Sequence, residues 1–170
     1  MISIKRLLQI GLILASGIAM PSWAIMITSG PDNGTNVGGV DTLLAEDVGQ
    51  GSEQGEEDWV NTTLTNLGYA DGGSITWTIK TEDVAYYTTD AMDVFAFELE
   101  SAPAYFLVKN RNRVALFENL LDIDWGVFDT AEFTADMNLP DNDGNFIISH
   151  VTEFNGSDQN PACWDCLASA

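Results

Sequence analysis

Alternating apolar and polar residues mark much of the chain after residue 58 as short β-strands. In residues 74–80, Ile75, Trp77 and Ile79 share one face of a predicted strand, while threonine and lysine side chains take the other. A period of two residues is typical of a strand that is buried on one face. Further apolar runs lie at 93–100, 104–109, 113–120, 121–129 and 146–154. About seven strands separated by turn residues predict an all-β fold, an antiparallel β-sandwich of jelly-roll-like type.

The same alternation assigns several aromatic side chains to the hydrophobic core. Trp77, Phe95, Phe97 and Trp125 all lie in alternating strands. Helical periodicity is scarce, and only residues 129–137 are expected to hold a helical turn. Residues 59–156 are therefore predicted to form the β-sandwich core.

Residues 25–58 predict a loop-rich N-terminal segment, because glycine, asparagine, aspartate and serine are frequent there. Seven acidic residues and no basic residue lie within 41–58, which is typical of a solvated loop. The residues of this segment expected to pack, as a short strand or turn, are Val40, Leu43 and Leu44. We therefore interpret residues 25–58 as an acidic, glycine-rich loop and strand segment ahead of the sandwich.

Residues 1–24 have the order of parts found in an export signal. Lys5 and Arg6 supply positive charge ahead of an apolar run at 7–18, and small residues predict cleavage after Ala24. The run is shorter than the ~20 apolar residues of a membrane span, so we expect no stable span after cleavage. A retained anchor helix is the alternative. The prediction is a secreted, extracellular protein of bacterial type.

Export leaves a strongly acidic chain. Cleavage removes two of the six basic residues and none of the 26 acidic residues, so four bases face 26 acids and the formal charge is −22. Nucleic acid is excluded as a partner, because binding its phosphates requires Lys and Arg. The acidity has two interpretations: a soluble extracellular surface, or the binding of divalent cations.

Three of the six basic residues, Lys109, Arg111 and Arg113, lie close together between two predicted strands. The short connection predicts a β-hairpin, since hairpin loops of about two to five residues are common and asparagine tolerates positive φ. This interpretation puts the basic side chains at an exposed turn, near carboxylates with which they can pair. The alternative is a dedicated site for an anion or an acidic sugar.

Carboxylates are the most plausible chemical feature of the sequence. The turn "PDNDGN" holds the candidate calcium ligands Asp141, Asp143 and Asn145. Calcium accepts about six to eight oxygen ligands of this kind, although the spacing is not that of an EF-hand loop. A solvated turn without metal is the alternative. The sequence identifies no carboxylate pair for glycoside hydrolysis, which needs two acids about 5–10 Å apart across a cleft.

The cysteine-containing tail, residues 157–170, carries Cys163 and Cys166 four residues from its end. A redox Cys-x-x-Cys motif normally opens a helix, for which no room remains, and two thiols are too few for zinc. We predict a small disulfide loop formed after export, with an intermolecular link as the alternative. His150 is predicted to be structural, because a strand points it away from the face of Ser149.

Three aromatic residues near turns are candidates for stacking on sugars. These are Trp59, Tyr86 and Tyr87. Aromatic side chains at such positions also occur without any ligand, so packing is the alternative interpretation. If they do bind sugar, a polysaccharide of the extracellular matrix is the expected partner.

Four segments in order resemble the extracellular β-domain of bacterial PEP-CTERM proteins, which exosortases sort. The segments are "YFLVK" at 105–109, "LFEN" at 116–119, "DWGVFD" at 124–129 and "ISHVTEF" at 148–154. The resemblance implies export, a β-sandwich, and a role at the cell surface or in an exopolysaccharide matrix. It carries over no catalytic residue. The chain ends without the family's Pro-Glu-Pro sorting signal, so free secretion or attachment by another route is expected.

The sequence thus favours an exported, non-catalytic protein of the extracellular space, the cell surface or the exopolysaccharide matrix, with polysaccharide or other matrix proteins as partners. A calcium-assisted carbohydrate-binding module is the first alternative. A glycoside hydrolase with a carboxylate pair is the second alternative.

Overall fold

The computed structural model describes residues 24–49, 51–70, 72–120, 123–137 and 147–155. The strands are β1 (Thr42–Val48), β2 (Thr76–Glu82), β3 (Tyr87–Thr88), β4 (Val94–Glu98), β5 (Tyr105–Asn110), β6 (Arg113–Glu118), β7 (Trp125–Asp129) and β8 (His150–Asn155). One α-helix, α1, spans Glu53–Leu67. A single 3-10 turn spans Thr130–Glu132, as the sequence predicts for this region.

The strands form two antiparallel sheets that pack as a sandwich, so the predicted all-β class is confirmed. One sheet has five strands in the order β1-β6-β5-β8-β2, and the other has three in the order β3-β4-β7. Phenylalanine rings fill the space between them: Phe106 stacks on Phe117 at 5.0 Å, and Phe97 meets Phe106 edge-on at 5.5 Å. Gly126 faces Phe97, and a Cβ there would lie 2.5 Å from the ring.

Helix α1 covers the other face of the five-stranded sheet. Val60 and Leu64 pack on Leu107, Leu116 and other apolar side chains of that face. The helix begins at an N-cap, Ser52, whose hydroxyl accepts a hydrogen bond from Gly55 N at 3.1 Å. It ends at Gly68, which takes the left-handed conformation with φ 84°. The prediction of a solvated loop over residues 53–58 is wrong, and the helix crosses the predicted boundary at residue 58.

The N-terminal segment covers the outer face of the three-stranded sheet. Ile27 and Val37 are buried there against Val94, Ala96 and Val127. Isolated bridges hold the segment in place, Met26 to Asn36 and Ile27 to Thr89. The described molecule therefore has four layers in sequence: this segment, the small sheet, the large sheet and α1.

The hairpin predicted around the basic stretch is present. Strands β5 and β6 pair in register from Tyr105–Glu118 to Asn110–Arg113. Arg111, rather than an asparagine, takes the positive φ of 55° in the two-residue turn. Its backbone N–H is held by the Ser149 hydroxyl at 3.0 Å.

The core positions predicted for the aromatic residues are only partly right. Phe97 is fully buried, while Phe95 and Trp125 are partly buried at the edges of their clusters. Trp77 remains 40% exposed. Trp77 lies opposite the buried Phe154 in β2, the edge strand of the large sheet, and a bulge between Trp77 and Ile79 interrupts the predicted alternation after it.

Candidate functional site

A buried polar cluster joins α1 to the five-stranded sheet. Glu56, in the first turn of α1, is only 2% exposed and faces the sheet. Its carboxylate meets Lys109 from β5 and His150 and Thr152 from β8. We call Glu56, Lys109, His150 and Thr152 the Glu56 cluster.

The contacts in the Glu56 cluster engage both carboxylate oxygens. Lys109 Nζ donates to Oε1 at 3.1 Å, and the Thr152 hydroxyl donates to Oε2 at 3.2 Å. His150 Nε2 lies 3.1 Å from Oε1 and 3.3 Å from Oε2. Because an ionised carboxylate can only accept, Nε2 must carry the hydrogen. The cluster is enclosed between helix and sheet, which fits a structural role.

The charges around Glu56 decide its protonation state. Burial acts to raise the pKa of Glu56, but hydrogen bonds and charges from His150 and Lys109 outweigh burial and hold the pKa below 4.5. Beyond them, Glu82 Oε2 lies 3.9 Å from His150 Nδ1, and Lys80 pairs with Glu82 at 2.8 Å and Glu53 at 3.9 Å. Lys109, one of the three basic residues of the hairpin, therefore points inward and pairs with Glu56.

Two further carboxylates are buried and hydrogen-bonded within the sandwich. Asp41 accepts from Leu120 N at 3.0 Å and from Val127 N at 2.8 Å. Burial raises the pKa of Asp41 from 3.8 to about 6, although both backbone bonds act to lower it. Glu153 accepts from Glu100 N at 2.7 Å and from the Ser101 hydroxyl at 2.6 Å. Each carboxylate ties loops to strands.

A surface groove of about 350 Å³ lies beside β2 and β4 and is a second candidate site. Its lining consists of Thr81, Asp83, Val84, Ala85, Tyr87, Glu98, Leu99 and Glu100. We call it the acidic groove, because three carboxylates border it. The Thr81 hydroxyl donates to Glu100 Oε1 at 3.0 Å. Carboxylates and a hydroxyl beside an aromatic ring can hydrogen-bond a polyhydroxylated ligand and stack on it.

Tyr87 is a fixed wall of the acidic groove. Its hydroxyl is hydrogen-bonded to Asp32, which raises the pKa of Tyr87. Its ring meets Trp125 edge-on at 5.8 Å. Gly30 lies against the same ring with φ 72°, and a Cβ at that position would be 3.0 Å from Tyr87. The ring is thus positioned by three contacts before any ligand arrives.

The structure does not bring the three predicted sugar-stacking residues together. Trp59 packs on the helix side of the large sheet, and its Nε1 donates to Asp47 at 3.1 Å. Tyr86 packs at the edge of the core between the sheets, edge-on to Phe95 at 5.3 Å. Only Tyr87 lines the acidic groove. Sugar stacking by Trp59 and Tyr86 stays a prediction.

Sequence reasoning singled out Tyr87 of the acidic groove, but missed the other residues of the groove and the contacts of the Glu56 cluster. The groove carboxylates Asp83, Glu98 and Glu100 were inconspicuous among 26 acidic residues. Glu56 lies 94 positions from His150, so their contact depends on the tertiary fold. A signal existed for the helix itself: an N-cap serine, acidic residues in the first turn and a glycine after the last turn.

The candidate calcium ligands Asp141, Asp143 and Asn145, and the cysteines Cys163 and Cys166, lie outside the described residues. Calcium binding and the disulfide therefore stay predictions. Within the described ranges, no group of three or more His, Cys, Asp or Glu side chains is arranged to hold a metal ion.

No protein family, curated protein or solved structure matches this chain. The resemblance to the PEP-CTERM β-domain therefore rests on the sequence motifs alone. In the part of the chain that the structure describes, none of the helices has both the length and the apolar character needed to cross a membrane.

Proposed function

We propose that this chain is an exported, non-catalytic domain of the extracellular or cell-surface matrix, and that it binds polysaccharide in the acidic groove. The observation that carries the proposal is the fixed ring of Tyr87 beside Asp83, Glu98 and Glu100. Sugar rings stack on aromatic side chains, and their hydroxyls donate to carboxylates. A rigid ring lowers the entropy lost on binding.

The three buried carboxylates are not placed to act on a substrate. Glu56, Asp41 and Glu153 are each hydrogen-bonded to other elements of the fold and shielded from solvent. A general acid or base must reach the substrate, within hydrogen-bond distance of the proton that it transfers. The three buried acids are therefore poor candidates for a general acid or base, and the acids that border the groove, Asp83, Glu98 and Glu100, are the candidates to test.

The test is binding of the purified protein to a panel of extracellular polysaccharides, neutral, acidic and amino-sugar-containing. We expect Tyr87→Ala to abolish binding, and Glu98→Gln and Glu100→Gln each to weaken it about tenfold. Glu132→Gln is the matched control, because Glu132 is exposed and does not line the groove. Melting curves check that each variant is folded. If the protein binds none of the polysaccharides in the panel, the proposal is refuted.

The same panel separates binding from hydrolysis. Release of reducing ends, lost in Glu98→Gln or Glu100→Gln but retained in Glu132→Gln, would identify a carboxylate-dependent glycoside hydrolase instead. Binding without release of reducing ends supports the non-catalytic domain.

Calcium assistance is tested separately, by melting the protein in calcium, in magnesium and in excess EDTA. Calcium would bind the folded chain at the turn with Asp141, Asp143 and Asn145, and would raise the melting temperature by several degrees at saturation. An Asp143→Asn variant should lose the effect. A small rise that magnesium reproduces would instead reflect screening of the acidic surface.

A further inference from the structure

Helix α1 is attached to the sheet by a narrow apolar stripe and by several polar contacts. Of its fifteen residues, the fully buried apolar ones are Val60 and Leu64, and the third buried residue is Glu56. The core between the two sheets is instead filled by several buried phenylalanine rings. Since burial of apolar area is the main source of stability, α1 is held less firmly to the large sheet than the two sheets are held to each other.

Three of the contacts that fix α1 depend on a carboxylate. Glu56 accepts from Lys109 and His150. Glu57 Oε2 accepts from Trp77 N in β2 at 3.0 Å. Asp47 in β1 accepts from the indole of Trp59 at 3.1 Å. Protonation of Glu56 weakens its contacts, because the neutral acid is a poorer acceptor than the anion.

Glycine residues flank α1 on both sides. Gly49 and Gly51 precede the helix, and Gly68, Gly72 and Gly73 follow it. Gly68 and Gly73 have positive φ values of 84° and 90°. Glycine has the widest backbone freedom of any residue, so both connections can change direction without rearranging β1 or β2.

We propose that Glu56 is an acid-released latch, which lets α1 detach from the five-stranded sheet as a unit while the sandwich stays folded. The groups that face Glu56 are Lys109 from β5, His150 from β8, and more distantly Lys80 and Glu82 from β2 and Glu53 from α1 itself. When Glu56 takes up a proton, Lys109, whose side chain is 16% exposed, loses its ion pair with Glu56. Lifting α1 returns the Lys109 ammonium to water and uncovers Leu107, Leu116 and Phe154.

The pH window follows from the direction of the shift. The pKa of Glu56 is lowered from 4.5 in the folded protein, so the stabilisation is complete above pH 4.5 and is lost as the pH falls through the lower folded value. The contribution of Asp41 to stability changes with pH in the opposite direction, because the raised pKa of Asp41 makes the folded state favour the protonated form. Acid therefore weakens the contact between α1 and the sheet at Glu56, but removes the destabilising charge of Asp41 from the sandwich.

Amide hydrogen exchange of the full chain, corrected for intrinsic rates, tests the latch between pH 7 and pH 3. We expect residues 53–67 to lose protection at a higher pH than residues 105–118. At pH 7, Glu56→Gln should raise opening of α1 at least ~10-fold, and α1 should still open more readily than β5 and β6. Glu53→Gln is the control, since its half-exposed side chain makes only a 3.9 Å contact.

Two results would overturn the latch. One is loss of protection in α1 and in β5–β6 at the same pH, which would mean that acid unfolds the molecule as a whole. The other is a Glu56→Gln variant whose α1 exchanges no faster than that of Glu53→Gln. The titration of the unmodified protein needs no variant, so the proposal remains testable if Glu56→Gln does not fold.

Discussion

The helix side and the β7 side of the molecule each bury a carboxylate, but they surround it differently. Glu56 meets a lysine, a histidine and a threonine hydroxyl. Asp41 meets two backbone N–H groups, from Leu120 and Val127, and no basic side chain among the described residues forms a salt bridge with it. Glu56 therefore has positively charged partners, and Asp41 has none among the described residues.

This difference reverses the effect of pH on stability at the two sites. Burial raises the pKa of Asp41 to about 6 in the folded state, so its ionisation opposes folding as the pH rises from 3.8 through 6. The cations around Glu56 lower its pKa, so its ionisation favours folding, and the benefit disappears in acid. Burial alone therefore does not determine what a carboxylate contributes; the charge of its partners does.

The largest effect is expected on removing the carboxylate that has cationic partners. Glu56→Ala removes the carboxylate that pairs with the partly exposed Lys109 side chain beneath α1. We expect the free energy of unfolding at pH 7 to fall by about 3–5 kcal/mol, because breaking a buried ion pair strands the remaining charge. Urea unfolding followed by circular dichroism measures it.

Glu53→Ala is the matched control for Glu56→Ala, one helical turn earlier and about half exposed. It should change the free energy of unfolding by no more than about 0.5 kcal/mol. Equal losses in the two variants would contradict the role given to the Glu56 cluster.

The next effect concerns Asp41 and the pH dependence of stability. The pKa of Asp41 is raised from 3.8 to about 6. Its contribution to the free energy of unfolding should therefore decline by up to about 3 kcal/mol between pH 4 and pH 7. Asp41→Asn should remove this decline, since the amide does not ionise. Urea unfolding at a series of pH values gives the slope for both proteins. An unchanged slope in Asp41→Asn would mean that other acidic residues cause the pH dependence.

A third change sharpens the comparison, because it destabilises the sandwich without touching a charge. Gly126→Ala adds a Cβ 2.5 Å from the ring of Phe97, which is itself fully buried. We expect a loss of about 1–3 kcal/mol from overpacking, with the pH slope of the unmodified protein retained. Gly39→Ala is the control, because no atom lies within 4 Å of its added Cβ. A Gly126→Ala protein as stable as the control would show that the sheets separate easily.

The sandwich could be predicted from the sequence because its strands carry their information locally. The predicted runs at 93–100, 104–109 and 113–120 correspond to β4, β5 and β6, each with buried aromatic or branched residues. Strand β2 was located correctly, but a bulge separates Trp77 from Ile79, and Trp77 stays 40% exposed at the edge of the large sheet. A bulge depends on the partner strand, which the sequence of one strand does not specify.

The candidate sites could not be predicted because they depend on contacts between distant residues. Helix α1 has a narrow apolar stripe and buries a glutamate, so it resembles an exposed acidic loop in hydrophobicity. Lys109 was assigned to an exposed turn, since its partner Glu56 lies 53 positions away. His150 is predicted to be structural, and its burial against Glu56 agrees with this, but the sequence could not name that partner.

The smallest expected effect tests whether Thr152, the neutral member of the Glu56 cluster, adds to the stability that the charged members provide. Thr152→Val keeps the shape of a fully buried side chain and removes the hydroxyl that donates to Glu56 Oε2 at 3.2 Å. Because Lys109 and His150 still engage the carboxylate, we expect a loss of only about 1 kcal/mol in urea unfolding at pH 7. In a Glu56→Gln background the same change should cost less, because a hydrogen bond to a neutral amide is weaker than one to an anion. Equal costs in both backgrounds would mean that Thr152 contributes by packing alone, and that counter-charge is the whole of the difference between Glu56 and Asp41.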